Sequence, residues 1–201
     1  MESSVLVLDT ETTGLSPRRP VEDTEAWEKC RIVQIAWSVH KSSGQLLEKQ
    51  CYTIKPDGFI IPDVAANIHG ITTTEALQTG ILLSDAFEAL RISMLEHNVH
   101  TLVAHNMAFD YPVIMSELVR MSGKKIRQTS QTRTNNLGSI LNRCLRQCTM
   151  LIGTHPGKRW PKLGKLYEEL FGEVPMNCHR ADADVEYCSR IYFKLITSGF
   201  N

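Results

Sequence analysis

The 201-residue sequence has no surplus of charge, with 22 Lys and Arg against 22 Asp and Glu. A chain so balanced does not coat nucleic acid by net charge, although a local basic patch can still meet phosphates. It has no apolar run near the roughly 18 residues that a membrane span needs, so no membrane partner is expected. No basic region precedes the short apolar run near the start (MESSVLVLDTE), so a secretory signal is not expected either. The chain is therefore read as intracellular, cytoplasmic or nuclear, and not secreted. None of its six cysteines forms a C-x-x-C pair, and free thiols in a reducing compartment are the expected state. Cys144, Cys148, His155 and Cys178 fit no common zinc spacing. Both G-x-G-x-x-G and the Walker lysine pattern are missing, which argues against a nucleotide-cofactor domain. Internal repeats, low-complexity tails and dividing linkers are absent too. Residues 1–201 read as one domain, long enough to bury its own core.

What is present is an alternation of strand and helix signals. Val5 to Leu8 form a short apolar run of the kind buried on both faces of a sheet. Residues 31–40 (RIVQIAWSVH) and 45–55 (QLLEKQCYTIK), joined by a turn at 41–44, continue it as a meander. Ser84 is the expected N-cap of a helix over 85–97. A strand at 100–104 leads into a helix over 107–122 that ends at Gly123. Residues 128–136 read as loop, 137–145 as a short helix, 145–151 as a strand, and 163–171 and 180–197 as helices. A meander followed by alternating β and α implies an α/β sandwich around a mixed sheet.

Three acidic stretches are out of keeping with that apolar framework. In VLVLDTETTGL, Asp9 and Glu11 lie two apart at a strand end and so share a face. Two like charges there need compensation, either water in a solvated loop or a bound cation. In LVAHNMAFDYPVI, Asp110 falls in the first turns of a helix, where a carboxylate also complements the dipole. In NCHRADADVEYCSRIYF, His179 precedes Asp184 by five residues, and Asp184 shares a helical face with Tyr187, Cys188 and Ile191. An Asp on an inward stripe is costly unless something pairs with it.

Taken together, DTETTGL, HNMAFD and HRADAD resemble the three motifs of the DEDDh (DnaQ-like, RNase T-like) 3′→5′ exonucleases, in the same order and roughly 95 and 70 residues apart. That family includes the proofreading epsilon subunit of bacterial DNA polymerase III. RIVQIAW, NIHGIT and KLGKLYEELFG look like family segments as well, so the resemblance covers nearly the whole chain. It implies a ribonuclease H-like fold with a central mixed five-stranded sheet and helices on both faces. It also implies that Asp9, Glu11, Asp110 and Asp184 hold two divalent ions, Mg²⁺ or Mn²⁺, since carboxylates suit hard cations. His179 would take the proton from the attacking water, a step for which imidazole suits neutral pH. The expected reaction removes nucleoside 5′-monophosphates from the 3′ end of single-stranded nucleic acid, with DNA favoured over RNA.

By the same resemblance Thr12, Gly14 and Leu15 would cradle the terminal nucleotide. His69 would lie beside its sugar, and Asn106 and Phe109 would meet the penultimate unit. Each has an ordinary alternative: Gly14 in a turn, Phe109 in the core, His69 capping a turn. Lys124, Lys125, Arg127, Arg133, Arg143 and Arg146 fall in a stretch without acids, either a phosphate track or a solvated face. This stretch and the acidic insertion 22–28 depart from the family pattern. Cys148-Thr149 stands where many relatives carry an Asp before the Thr, a change expected to affect packing rather than catalysis. An exoribonuclease, or a subunit working with a polymerase or another nuclease, is the alternative. A silent binding module is disfavoured because all five motif residues are present.

Overall fold

A computed structural model describes residues 3–125, 135–154, 159–176 and 178–198. Its five strands are β1 (Ser4–Thr12), β2 (Ile32–Lys41), β3 (Leu46–Thr53), β4 (Val99–Ala104) and β5 (Leu145–Cys148). They form one sheet in the order β3-β2-β1-β4-β5. The β1–β2 and β2–β3 pairs are antiparallel, whereas β4 pairs with β1 and β5 with β4 in parallel. This is the mixed five-stranded sheet expected from the sequence.

Strand alternation decides what each face meets. Leu6 and Leu8 point to the larger core beneath α3 (Leu83–Glu96), α4 (Met107–Lys125) and α5 (Asn135–Arg143). Val5 and Val7 point the other way, onto Ala181, Val185, Cys188 and Tyr192 of α8 (Ala181–Thr197). α7 (Leu163–Phe171) packs outside α8 through Leu166, Tyr167 and Ile191. Two short helices, α1 (Asp63–His69) and α2 (Thr73–Thr79), close a satellite core around Val33, and α6 (Thr149–Ile152) is a single turn. Helices therefore cover both faces.

Several boundaries differ from those expected. The N-cap of α3 is Leu82, in extended backbone; Ser84 lies inside the helix, and its hydroxyl turns to Asp85 Oδ1 at 3.4 Å. α4 runs through Gly123 to Lys125, since a glycine without a left-handed φ does not stop a helix. β5 ends at Cys148 rather than 151, because Thr149 turns inward and bonds His105 Nδ1 at 2.9 Å. α5 starts at Asn135, inside the stretch 128–136 read as loop; positions 126–134, with Arg127 and Arg133, lie outside the described residues, as does His155. The acidic insertion is not a loose loop. Residues Ala26–Lys29 form a 3-10 turn, and the fully buried Trp27 donates its indole N–H to the carbonyls of Arg19 and Pro20 at 3.3 and 3.0 Å. Arg120 of α4 fastens the insertion through Glu28 and through the Thr24 carbonyl at 3.1 Å. Beneath it Arg31 and Glu117 form a buried bidentate pair at 2.7 and 3.2 Å, tying β2 to α4.

Candidate active site

The C-terminal end of β1 delivers the acids. Asp9 and Glu11 continue the row of Val5 and Val7 and so lie on the α8 side, while Thr10 points to the α4 side. Asp184, in the first turn of α8, meets them there: one oxygen from each of Asp9, Glu11 and Asp184 lies within 4.8 Å of the others. Asp110 is outside this trio. It is buried in the first turn of α4, and its Oδ1 accepts the Thr10 N–H at 3.0 Å and the Thr10 hydroxyl at 2.8 Å.

Crowding shows in the acidities. Burial, then the charges of Asp110, Asp184 and Glu11, hold the Asp9 carboxyl well above the ordinary range. Burial and the Asp184 charge push Glu11 up to about 7. Burial likewise takes Asp110 to about 7 against the opposing bonds from Thr10. For Asp184 burial wins over the His179 N–H bond and gives about 6. Asp184 Oδ2 accepts that N–H at 3.1 Å, while its buried Oδ1 has no partner among the described residues. Converging hard oxygens, raised carboxyl pKa values and an orphaned carboxylate oxygen are what a divalent cation relieves, so the residues fit the metal that the family motifs imply.

His179 is exposed, has a left-handed backbone (φ 69°), and borders a cleft of about 530 Å³ shared with Ile68, His69, Cys178, Arg180 and Asp182. His69 is a buried part of its lining. Its Nδ1 accepts the Ile71 N–H at 3.1 Å, so Nε2 carries the proton, and that buried N–H has no partner among the described residues. Burial and the Arg180 charge lower its pKa and favour the neutral ring. The remaining expected contacts come from the end of β1 with the loop after it, and from the start of α4 with the residue before it. Thr12 Oγ1 donates to the Gly14 carbonyl at 2.7 Å, and Leu15 is 86% exposed. Gly14 is required by space: a Cβ there would come to 2.7 Å from the Lys29 carbonyl oxygen. Asn106 also has a left-handed φ of 78°, which lets its carbonyl accept the Phe109 N–H at 2.7 Å and start α4. Phe109 is half-buried and packs against the larger core.

Two residues of the site went unnoticed in the sequence. Gln34, buried on β2 opposite Glu11, accepts the Ala181 N–H at 3.0 Å and fixes the start of α8. Arg180 lines the cleft and sets a positive charge beside Glu11 and His69. A polar residue within the apolar strand 31–40 was the only visible signal for Gln34; nothing local distinguished Arg180. His105 proves structural, with Nδ1 on Thr149 and Nε2 on the Pro161 carbonyl at 3.0 Å.

This geometry has counterparts among known proteins. The exonuclease family RNase T matches residues 6–192 of the chain. No curated protein sequence matches it. The fold is shared with E. coli exonuclease I in complex with a dA16 oligonucleotide, at a TM-score of 0.70 and 20% identity over 98% of this chain and 41% of that one. The same enzyme with a dT13 oligonucleotide gives the same values. The zinc-bound form of the E. coli exonuclease I–ssDNA complex gives 0.68 and 20% over 99% and 41%. The chain thus spans less than half the length of these structures. With the match running from the first core strand to the last helix, the chain belongs to the RNase T exonuclease family.

Proposed function

We propose that the chain is a metal-dependent 3′→5′ exonuclease that hydrolyses terminal phosphodiesters of single-stranded nucleic acid, DNA in preference to RNA, to nucleoside 5′-monophosphates. The observation that carries this reading is the convergence of Asp9, Glu11 and Asp184 within 4.8 Å. A cleft containing His179 and a His69 N–H with no partner among the described residues adds to it. The family match over residues 6–192 supports reading 1–201 as one exonuclease domain. The DNA preference draws on the dA16 and dT13 oligonucleotides bound by the similar structures.

In this reading Asp9, Glu11, Asp184 and the adjacent Asp110 hold two Mg²⁺ or Mn²⁺ ions. Bound divalent ions neutralise phosphate charge and make water more acidic. Every other task falls to side chains. A ring nitrogen of His179 takes the proton from the attacking water, whose oxygen bonds to phosphorus as the P–O3′ bond breaks; the departing 3′-oxygen is protonated from solvent. His69 donates a hydrogen bond from Nε2–H to the terminal nucleotide, where a buried donor would otherwise go unmet. Thr12, Gly14 and the exposed Leu15 form the floor under that nucleotide, and Asn106 and Phe109 meet the next.

The test is a time course with 3′- and 5′-labelled single-stranded DNA and RNA in Mg²⁺, Mn²⁺ or EDTA, beside Asp9→Ala. A one-nucleotide ladder from the 3′ end, absent in EDTA and in the variant, is the expected result. Intact oligonucleotide in every metal would refute the reading for this chain.

A further inference from the structure

The segment carrying His179 is held from outside the cleft, on the side where α7 and α8 pack. The Tyr187 hydroxyl, on α8 three residues past Asp184, accepts the Met176 N–H at 3.0 Å and donates to the Met176 carbonyl at 2.8 Å. Its ring is set edge-on against Tyr167, centroid to centroid 4.7 Å. The Tyr167 hydroxyl in turn donates to Glu173 Oε2 at 3.0 Å, and the Arg190 guanidinium lies 4.8 Å over the Tyr167 ring and 3.5 Å from the same carboxylate. Pro175 sits tightly on Gly164, where a Cβ would come within 3.1 Å of its Cγ. Glu173, Pro175 and Met176 are thus fixed to the α7–α8 pair. Three residues on, His179 takes its left-handed φ and donates its N–H to Asp184.

Met176 is 74% exposed, so water could satisfy both of its backbone groups. A hydroxyl that makes both bonds there fixes a position rather than relieving burial. Three residues of chain reach at most about 11 Å, so anchoring Met176 restricts where the His179 ring can stand.

We propose that Tyr187 is a positioning residue for His179, anchoring the approach segment so that the imidazole faces the cleft in a single placement. This rests on the reading of His179 as the group that takes the proton from water. Tyr187→Phe keeps the ring contact with Tyr167 and removes only the hydroxyl. It is expected to lower kcat on a labelled DNA oligonucleotide about 10-fold or more, because small displacements of a reacting group are costly. KM should change less than about 3-fold, since the Thr12–Leu15 floor is untouched. The melting temperature should move by no more than about 2 °C, the bonds lost being solvent-exposed. Exchange of the His179 backbone N–H should accelerate. In a His179→Ala background Tyr187→Phe should add no further loss.

An unchanged kcat in Tyr187→Phe, or the same fold loss with and without His179, would overturn the proposal. Unaltered exchange of the His179 N–H would overturn it as well, and that measurement does not depend on residual activity. A His179→Ala protein with full kcat would instead sink the underlying assignment of His179, so the two failures are distinct.

Discussion

Thr10 turns its side chain away from Asp9 and Glu11, yet it holds the fourth acid of the site by two bonds to Asp110 Oδ1. Those bonds oppose the burial that raises Asp110 to about 7. Thr10→Val keeps the shape and removes the hydroxyl, so the Asp110 pKa should rise further. A bond to a charged group contributes about 1.5–3 kcal/mol, and melting should fall by roughly 3–10 °C. The metal concentration for half-maximal activity should rise in the same variant; an unchanged requirement would place Asp110 outside the metal site. At this scale the acids were legible because a carboxylate on an apolar stripe stands out, as Asp184 does beside Cys188 and Ile191. Thr10 was not legible. A threonine in a strand is ordinary, and its partner is 100 residues away.

The elements stand in the right places because buried charges tie them together. β2 and α4 are joined by Arg31 and Glu117, whose side chains are only 6% and 2% exposed, with Arg120 close by. Glu117→Ala leaves the buried Arg31 guanidinium with only a 3.7 Å contact to Glu28, a loss of about 3–5 kcal/mol. Melting should drop by roughly 10 °C, given about 2–4 °C per kcal/mol in a chain of this size. Lys165→Ala, which removes the exposed pair with Glu168, should leave melting nearly unchanged and serves as the control. If the two variants melt alike, the buried network is not what joins the elements. Most strands and long helices were readable from their periodicity. α1, α2 and the 3-10 turn were not, because short segments carry too few turns to show a period. The ends of α3 and β5 were missed for another reason: a tertiary bond, Thr149 to His105, outweighed local propensity at β5, and an apolar Leu82 took the cap position at α3.

For the whole molecule, the raised carboxyls make stability depend jointly on pH and metal. Glu11 and Asp110, near 7 in the fold, keep protons that the unfolded chain releases near 4, so their contribution to stability declines as pH climbs between those values. His40, His69 and His105, whose pKa values are lowered by burial, act in the opposite sense. A comparison that cancels the histidines is therefore needed. Metal-free Glu11→Gln should melt a few degrees above the unaltered chain at pH 8, and the difference should shrink toward pH 5.5. Mg²⁺ should raise the melting temperature of the unaltered chain more at pH 8 than at pH 5.5, since binding displaces protons. Equal shifts at the two pH values would remove the acidic cluster as the metal site. Among the described residues no helix is long and apolar enough to cross a membrane, in keeping with the hydropathy of the sequence. By itself the sequence determined the class of fold, the three acidic motifs and the spacing of His179 from Asp184, because alternation, helical period and short spacings are local properties. Only the tertiary structure decided that Asp9, Glu11 and Asp184 converge while Asp110 stands behind Thr10. It alone brought His69 into one cleft with His179, Gln34 to the start of α8, and the Tyr187 hydroxyl to Met176. Those meetings depend on sheet order and helix packing, which sum weak contacts over the whole chain and leave no mark in any single stretch of it.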